Sequence, residues 1–172
     1  MKVSQLLPED YNPYYQTYIN ALGDLELIEA LRVGLNEFKK LISSIPEETL
    51  GFRYAEGKWT IAEVVLHIID TERVFQYRAL CFSRNDKTFF PGFEQDDYVE
   101  HCNASKRTKD SMLQEFLAVR ASTLALFESF DEIDLQKRGV ASSSNMTVAA
   151  AGFIISGHLK HHQNILLERY LI

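Results

Sequence analysis

Apolar residues recur at three- to four-residue steps downstream of Asp24, a spacing that is typical of an amphipathic helix. The repeat consists of Leu25, Ile28, Leu31, Leu35, Phe38 and Ile42. Asp24 is a favourable N-cap residue, and Pro46 cannot continue a helix because its backbone has no N–H to donate. The pattern predicts a first long helix between these two residues.

A second helix is predicted from a capping pattern. Thr60 and Glu63 have the spacing of a capping box, in which each side chain accepts a hydrogen bond from the backbone N–H of the other residue. Glu63 is therefore interpreted as a cap rather than as part of a functional site. From this box to Ser83 the chain is apolar on most sides, so we expect this helix to lie in the centre of the molecule.

Two more helices follow from similar patterns. Apolar positions predict a third helix from about Thr108 to Phe130, and Thr147 is a suitable N-cap for a fourth helix that continues to the end of the sequence. Residues 131–145 are polar and rich in serine, which predicts a connection. Residues 1–23 carry two prolines and four tyrosines and are predicted to form an irregular strap packed on the helices, the alternative being a partly ordered tail.

Residues 85–105 are predicted to form a long crossover loop, with Pro91 and Gly92 marking a turn. Loops of this length are uncommon in compact domains unless they have a function. About twenty extended residues reach ~65 Å, which exceeds the ~30 Å length of a twenty-residue helix. The second and third helices can therefore run parallel. The sequence predicts one all-α domain over residues 1–172, a four-helix bundle with up-down-down-up order.

Composition narrows the range of partners. The 172 residues are 46% hydrophobic and 24% charged, with a formal net charge of −6, and this acidic balance without a Lys/Arg stripe argues against nucleic acid. No apolar run approaches the ~20 residues that span a bilayer, so no membrane partner is expected. No signal peptide is visible, which predicts a cytoplasmic protein. Cys81 and Cys102 lack the spacing of a metal site or a disulfide framework and are interpreted as reduced bystanders.

The candidate chemistry lies in the histidines of the last helix. His158 and His162 are spaced i,i+4, which puts their Cβ atoms ~5–6 Å apart on one helical face. This face also carries aliphatic residues and is expected to point into the core, whereas His161 points roughly 100° away and is not expected to be a ligand. Two buried imidazoles need partners. A shared metal ion is one solution, and hydrogen bonds to backbone or carboxylates are the alternative.

His67 supplies a third imidazole from the second helix, on a polar seam with Glu63, Asp70 and Thr71. Packed helices lie ~8–10 Å apart, so side chains on facing helices can reach one ion. Three histidines leave a fourth position open, which is the pattern of a catalytic metal site. Asp70 is predicted to accept the second ring N–H of a ligand, with a solvated helix acid as the alternative.

Other catalytic patterns are missing from the sequence. It contains no G-x-S-x-G motif, no glycine-rich phosphate loop and no Glu-x-x-His pair of the type that di-iron bundles use. No cysteine lies near a convincing base. The three histidines therefore remain the candidate site.

Short motifs along the whole chain resemble the DinB-like (YfiT-type) superfamily of metal-dependent four-helix-bundle proteins. The matching segments are Gly57-Lys58-Trp59-Thr60, His67 through Arg73, Asp86-Lys87-Thr88, Phe90 through Asp97, Gly157-His158, His161-His162 and Glu168-Arg169-Tyr170. The resemblance implies an up-down-down-up bundle, a divalent ion, usually nickel or zinc, and a homodimer. Carried over, the ligands are His67, His158 and His162. One departure is Leu159, where related sequences often have an acidic residue.

The resemblance also implies a function, because family members with known activity include thiol S-transferases and thiol-dependent isomerases. We hypothesise a transferase that joins a low-molecular-weight thiol to an electrophilic small molecule, with the metal activating the thiol. The alternatives are a metal-dependent hydrolase and a non-catalytic metal-binding or dimerising module. Three imidazoles alone suit Zn, Ni, Cu and Fe alike, so the sequence does not identify the ion.

Four further residues are predicted to line the substrate pocket. Phe93, Asp96 and Asp97 lie on the crossover, and Trp59 precedes the second helix. Core packing is the alternative interpretation for the two aromatic residues.

Overall fold

The computed structural model describes residues 1–171. These residues form seven α-helices and three short strands. The helices are α1 (Gln16–Asn20), α2 (Leu27–Ser44), α3 (Ile61–Ser83), α4 (Gln95–His101), α5 (Lys109–Glu128), α6 (Glu132–Gln136) and α7 (Val148–Ile165). The strands are β1 (Phe89–Phe90), β2 (Arg138–Ala141) and β3 (Ser144–Thr147), and a π-helical turn, Leu166–Tyr170, extends α7.

Threonine side chains cap three of the four long helices, and the caps at Thr60 and Thr147 are those that the sequence predicted. Thr60 Oγ1 accepts a hydrogen bond from the Glu63 N–H, and the Thr60 N–H donates to Glu63 Oε2 at 2.6 Å, which completes the capping box of α3. The Thr108 hydroxyl caps α5 by accepting a hydrogen bond from the Ser111 N–H, and the Thr147 hydroxyl caps α7 by accepting one from the Ala150 N–H. Each cap satisfies a backbone N–H that has no partner inside its helix.

The predicted cap of α2 is wrong. This helix begins at Leu27, with Glu26 in the N-cap position and no side-chain cap among the described residues. The Asp24 carboxylate instead accepts a hydrogen bond from the Ser4 N–H at 3.0 Å. Because the Asp24 carboxylate bonds to the N-terminal strap, it does not cap α2, and the helix begins at Leu27.

Contacts between helix ends establish that α2 and α5 are antiparallel. The backbone N–H of Lys109, at the start of α5, donates to the Glu47 carboxylate just after α2. At the opposite end of the pair, Arg32 near the start of α2 donates to Glu128 at 2.7 Å. Arg73 of α3 donates a hydrogen bond to Glu115 of α5, and Gln76, further along α3, donates one to Ser122, further along α5. These two helices are therefore parallel.

The last helix runs parallel to α2. Leu27 of α2 lies against Gly152 of α7, and Glu37 of α2 accepts a hydrogen bond from Lys160 of α7. The four long helices α2, α3, α5 and α7 therefore follow the order up, down, down, up. The predicted four-helix bundle is confirmed, and α3 and α7, which carry the histidines, pack directly against each other.

A buried ion pair connects three of these helices. Arg120 of α5 donates two hydrogen bonds to the Glu72 carboxylate of α3, at 2.7 and 2.8 Å, and a third to the Leu31 carbonyl of α2. Both charged side chains are almost fully excluded from solvent. The Phe116 ring lies 5.3 Å from the guanidinium carbon. This pair fixes α3 relative to its two neighbours.

The two connections contain more regular structure than the sequence predicted. Residues 85–105 form β1 and α4, and residues 131–145 contribute α6 and a β-hairpin of β2 and β3. Strand β1 pairs in parallel with β2, and β2 pairs with β3 in antiparallel register. The long loop predicted for residues 85–105 is corrected, because this segment contains β1 and α4, and a small sheet accompanies the confirmed four-helix bundle.

The sequence did not predict the hairpin, because its turn lacks the residues that are typical of hairpin turns. Ser142 and Ser143 connect β2 to β3, and both have positive φ angles, 51° and 59°. Turns of this kind favour Asn-Gly or Asp-Gly, so a Ser-Ser pair gives little signal.

Within residues 1–171, no helix is both long and apolar enough to cross a membrane.

Replacement of Arg120 by alanine is expected to destabilise the protein by about 3–5 kcal/mol, because the Glu72 carboxylate would remain buried without its partner. Urea unfolding measures the change. The double replacement Glu72→Leu with Arg120→Met should recover most of the loss, because no unpaired charge is left. A loss below about 1 kcal/mol, the size expected for the exposed Arg32–Glu128 pair, would contradict this role for Arg120.

Candidate metal centre

Three imidazoles meet at the interface between α3 and α7. His67 comes from α3, and His158 and His162 lie one turn apart on α7. One ring nitrogen from each residue lies within 4.8 Å of the other two, and the Nε2 atoms of His67 and His158 are 2.9 Å apart. His67 and His158 are buried, whereas His162 is partly exposed. The structure thus brings together the three histidines that the sequence singled out.

The donor set fits a divalent ion. Two nitrogens that bind one metal at 2.0–2.1 Å lie ~2.9–3.4 Å apart, and the His67–His158 distance falls at the short end of this range. The three ring centroids are 4.5–4.8 Å from one another, so the rings form one compact cluster. This convergence supports a shared metal over the alternative of separate bonds to backbone or carboxylates.

Burial keeps the three imidazoles neutral. It lowers the pKa of His67 to about 4, partly offset by the negative charge of Asp96, and lowers the pKa of His162 to about 3. Burial and the neighbouring histidines also hold the pKa of His158 well below its usual value. Because neutral imidazole is the form that binds metal, these rings need not lose a proton at neutral pH before they bind an ion.

His161 lies beside this cluster rather than in it. Its ring is 5.1 Å from the His162 ring and 5.1 Å from the Tyr18 ring, on the side of α7 that meets the strap. It is not a member of the three-histidine group.

A cavity of about 480 Å³ reaches the histidines from one side. We call it the tyrosine cavity, because Tyr14, Tyr15 and Tyr18 of the strap form much of its wall. The other lining residues are Asn12, His67, Thr71, Phe75, Phe93, Gln95, Ala141, Ser142, Ser144, Ile154 and His158. The cavity therefore combines aromatic walls with two of the three imidazoles.

Two buried polar atoms on α3 lie at or behind the wall of the tyrosine cavity. Thr71 follows His67 by one turn, and its Oγ1 has no hydrogen-bond partner among the described residues. Arg78, two turns further on, donates to the Pro91 carbonyl at 2.9 Å through Nη2, while its Nη1 lacks a partner within residues 1–171. Its guanidinium lies over Phe75 and next to Tyr15, both of which line the cavity. This wall therefore offers hydrogen-bond donors from Thr71 and Arg78 and the positive charge of the Arg78 guanidinium.

A second cavity of about 330 Å³ reaches His162 from another direction. We call it the Trp59 cavity. Its lining residues are Tyr54, Gly57, Lys58, Trp59, Val64, Asp96, His162, Ile165 and Tyr170. Helix α4 lies between the two cavities, because Gln95 lines the first and its neighbour Asp96 lines the second.

The structure separates the predicted pocket residues. Phe93 lines the tyrosine cavity, Asp96 lines the Trp59 cavity, and the Trp59 ring lies 4.8 Å from the His67 ring. Asp97 instead shares a surface depression with Asp70, together with Tyr98, His101 and Cys102. Asp97 therefore lies away from both cavities that reach the histidines.

Asp70 is not placed against a histidine ring. Its carboxylate lies 3.6 Å from Arg73 on the outer side of α3. Burial raises its pKa, and the positive charge of Arg73 opposes this effect. The geometry gives no support to the predicted role in orienting a ligand, and it favours the alternative of a helix acid at the surface.

The strap contributes functional candidates that the sequence analysis missed. The Tyr18 ring packs edge-on against His158, with 5.4 Å between the centroids. This contact requires Gly157, because a Cβ atom at that position would collide with the Tyr18 carbonyl. Burial raises the pKa of Tyr18, so its hydroxyl stays protonated. The four tyrosines near Pro8 and Pro13 were the available signal, but they did not reveal where the strap packs.

Family and structural comparisons agree with this geometry. Residues 30–166 match the DinB superfamily, and the chain belongs to this superfamily, which confirms the resemblance seen in the sequence. A presumed metal-dependent hydrolase from Geobacillus thermodenitrificans is 29% identical over 143 residues, which cover 80% of this chain and 78% of that protein. A second presumed hydrolase, from Geobacillus kaustophilus, is 25% identical over 139 residues with the same coverage.

Two solved structures share the fold. YfiT from Bacillus subtilis, described as a probable metal-dependent hydrolase with an unusual four-helix bundle topology, matches with a TM-score of 0.72 at 16% identity over 83% of this chain and 82% of YfiT. The mycothiol-dependent maleylpyruvate isomerase matches with a TM-score of 0.68 at 12% identity, over 86% of this chain and 62% of the isomerase. Both likenesses confirm the bundle architecture.

Replacement of His162 by alanine is expected to lower the metal content from about one ion per chain to below about a tenth, because two imidazoles hold a divalent ion poorly. The matched variant His161→Ala should keep the ion. Elemental analysis of protein purified without chelators measures both. If both variants lose the metal ion equally, the conclusion that His162 and not His161 faces the ion is wrong.

The metal-free protein is expected to lose stability as the pH falls below 6.5. The unfolded chain then takes up protons on histidines that stay neutral in the folded state, down to a pKa of about 3 for His162. Each such group adds up to ~1.4 kcal/mol per pH unit to the slope of unfolding free energy against pH. Urea unfolding of the metal-free His162→Ala variant should therefore show a shallower slope than the unmodified protein. An unchanged slope would contradict this interpretation.

Proposed function

We propose that this chain is a metal-dependent enzyme that joins a low-molecular-weight thiol to an electrophilic small molecule. The observation that carries the proposal is that the histidine cluster is reached by two cavities. His67 and His158 line the tyrosine cavity, and His162 lines the Trp59 cavity. Two separate routes suit a reaction between two small molecules, because each reactant can approach the imidazoles from its own side, whereas a hydrolase uses one route for its substrate and access for water.

The donor set suits this chemistry. A divalent ion held by three neutral imidazoles would lower the pKa of a thiol at its open position, so that the sulfur is present as thiolate near neutral pH. Likeness to the mycothiol-dependent isomerase, whose name states its use of a thiol, adds support.

The surrounding residues provide binding and orientation. The aromatic side chains of the strap form part of the wall of the tyrosine cavity, where they would shield a bound molecule from water and so strengthen its polar interactions. The Thr71 hydroxyl, buried and without a partner among the described residues, is placed to donate to an acceptor atom of a bound electrophile. In the reaction, the thiol proton passes to water, the sulfur–carbon bond forms, and the leaving group departs with its electron pair.

A second candidate function is hydrolysis with a metal-activated water. The observation that favours it is the pair of Geobacillus relatives, both presumed metal-dependent hydrolases, which align with about four-fifths of this chain. The same three imidazoles suit water activation, because that chemistry also uses one open position.

A conjugation assay separates these functions. Metal-loaded protein is incubated with 1-chloro-2,4-dinitrobenzene and, in turn, cysteine, glutathione, bacillithiol or mycothiol, and the thioether is detected by mass spectrometry. We expect at least one thiol to give turnover that is lost on chelation and falls more than about tenfold in His162→Ala.

The matched control is His161→Ala, which should retain turnover. Hydrolysis of p-nitrophenyl acetate is measured in parallel on the same preparations. Metal-dependent ester hydrolysis with no conjugation of any thiol would favour the hydrolase. Bound metal with neither activity would contradict both candidates and favour a non-catalytic module.

A further inference from the structure

We infer that the Trp59 cavity binds the thiol and that the tyrosine cavity binds the electrophile. This inference rests on the proposed function and adds the chemical class of each reactant. The Trp59 cavity is suited to a small hydrophilic thiol that carries both an ammonium and a carboxylate close to its sulfur. The assignment follows from the different walls of the two cavities.

Opposite charges flank the Trp59 cavity near His162. Lys58 and Asp96 both line it, and both side chains are exposed at its mouth. A third charge lies nearby, because the Arg169 guanidinium sits 5.5 Å from the ring of Tyr54, another lining residue. A cation and an anion on one rim match a zwitterion, with its carboxylate beside Lys58 and its ammonium beside Asp96.

The same cavity reaches the histidines. His162 forms part of its wall, and the indole of Trp59 lies 4.8 Å from the His67 ring. Asp96 is close enough to His67 for its charge to influence that imidazole. Because Lys58, Asp96 and His162 line one cavity, a compact thiol such as a cysteine unit can contact the charged groups and direct its sulfur toward the imidazoles.

The tyrosine cavity has a different character. It is the larger of the two, and its walls include three tyrosines and two phenylalanines. Inside it, the Thr71 hydroxyl, which has no partner within residues 1–171, offers a hydrogen bond, and the buried Arg78 guanidinium lies behind Tyr15 and Ser142. Aromatic walls with donors and a nearby positive charge suit an unsaturated or aromatic electrophile that carries an acceptor oxygen.

Trp59 allows the thiol subsite to be tested without turnover. It is the single tryptophan of the chain, so tryptophan fluorescence, excited selectively over the eight tyrosines, reports on a side chain that lines this cavity. Zinc-loaded protein is titrated with three probes: cysteine, N-acetylcysteine, which lacks the ammonium, and cysteine methyl ester, which lacks the carboxylate. We expect cysteine to change the fluorescence and to bind more tightly than either derivative.

Charge-neutralising variants make the test specific. Lys58→Gln should weaken cysteine binding about three- to fivefold, the effect of one exposed ion pair, and abolish the preference over the methyl ester. Asp96→Asn should abolish the preference over N-acetylcysteine. The matched control Lys40→Gln removes an exposed lysine on α2 and should leave all three affinities unchanged. Phe93→Ala, in the other cavity, should also leave thiol affinity unchanged while raising the KM for the electrophile.

Several results would overturn the assignment. These are equal affinity of the three probes, unchanged cysteine binding in both charge variants, and weaker cysteine binding in Phe93→Ala alone. Failure of the subsite and failure of the function are distinguishable. If Lys58→Gln and Asp96→Asn leave the conjugation rate unchanged, the transferase function is retained and this thiol subsite is rejected. If the expected binding pattern is seen but no thiol is conjugated, the subsite is retained and the transferase function is rejected. Equal metal content in all variants excludes an indirect effect.

Discussion

The antiparallel packing of α3 against α7 is the contact on which the candidate centre depends. His67 comes from one helix and His158 and His162 from the other, so a one-residue shift of α3 would rotate its imidazole ~100° away from its partners. The hydrogen bond from the Tyr170 hydroxyl to the Trp59 carbonyl fixes one end of this contact at 2.8 Å. The buried Glu72–Arg120 pair fixes α3 against α5 and α2 on its other side.

Around this fixed contact, the less regular parts of the chain shape the access routes. The strap reaches α7 because Gly157 has no side chain, and it supplies the tyrosines that wall one cavity. Helix α4 of the crossover separates that cavity from the second, with Gln95 facing one and Asp96 facing the other. The bundle thus holds the ligands, whereas the strap and the crossover determine what can approach them.

The sequence was informative where one local pattern determines one local structure. Helical periodicity predicted the long helices, and the caps at Thr60 and Thr147 predicted where α3 and α7 begin. The i,i+4 spacing of His158 and His162 predicted their common face. It was uninformative where a contact joins distant segments. The Ser142–Ser143 turn has no typical hairpin residues, and a tyrosine in the strap carries no signal of the helix it will meet. Asp70 shows a second limit of sequence-based prediction. Its position on the helix did not reveal whether its carboxylate points toward the histidines or toward Arg73, and the structure places it beside Arg73.

The central claim is that three imidazoles from two helices bind one divalent ion. The most direct measurement is a crystal structure of protein purified without chelators, with diffraction data collected on either side of the absorption edges of nickel and zinc. We predict one anomalous peak per chain, within bonding distance of a ring nitrogen of His67, His158 and His162. Three rings that hydrogen-bond only to one another or to water, with no anomalous peak between them, would contradict it.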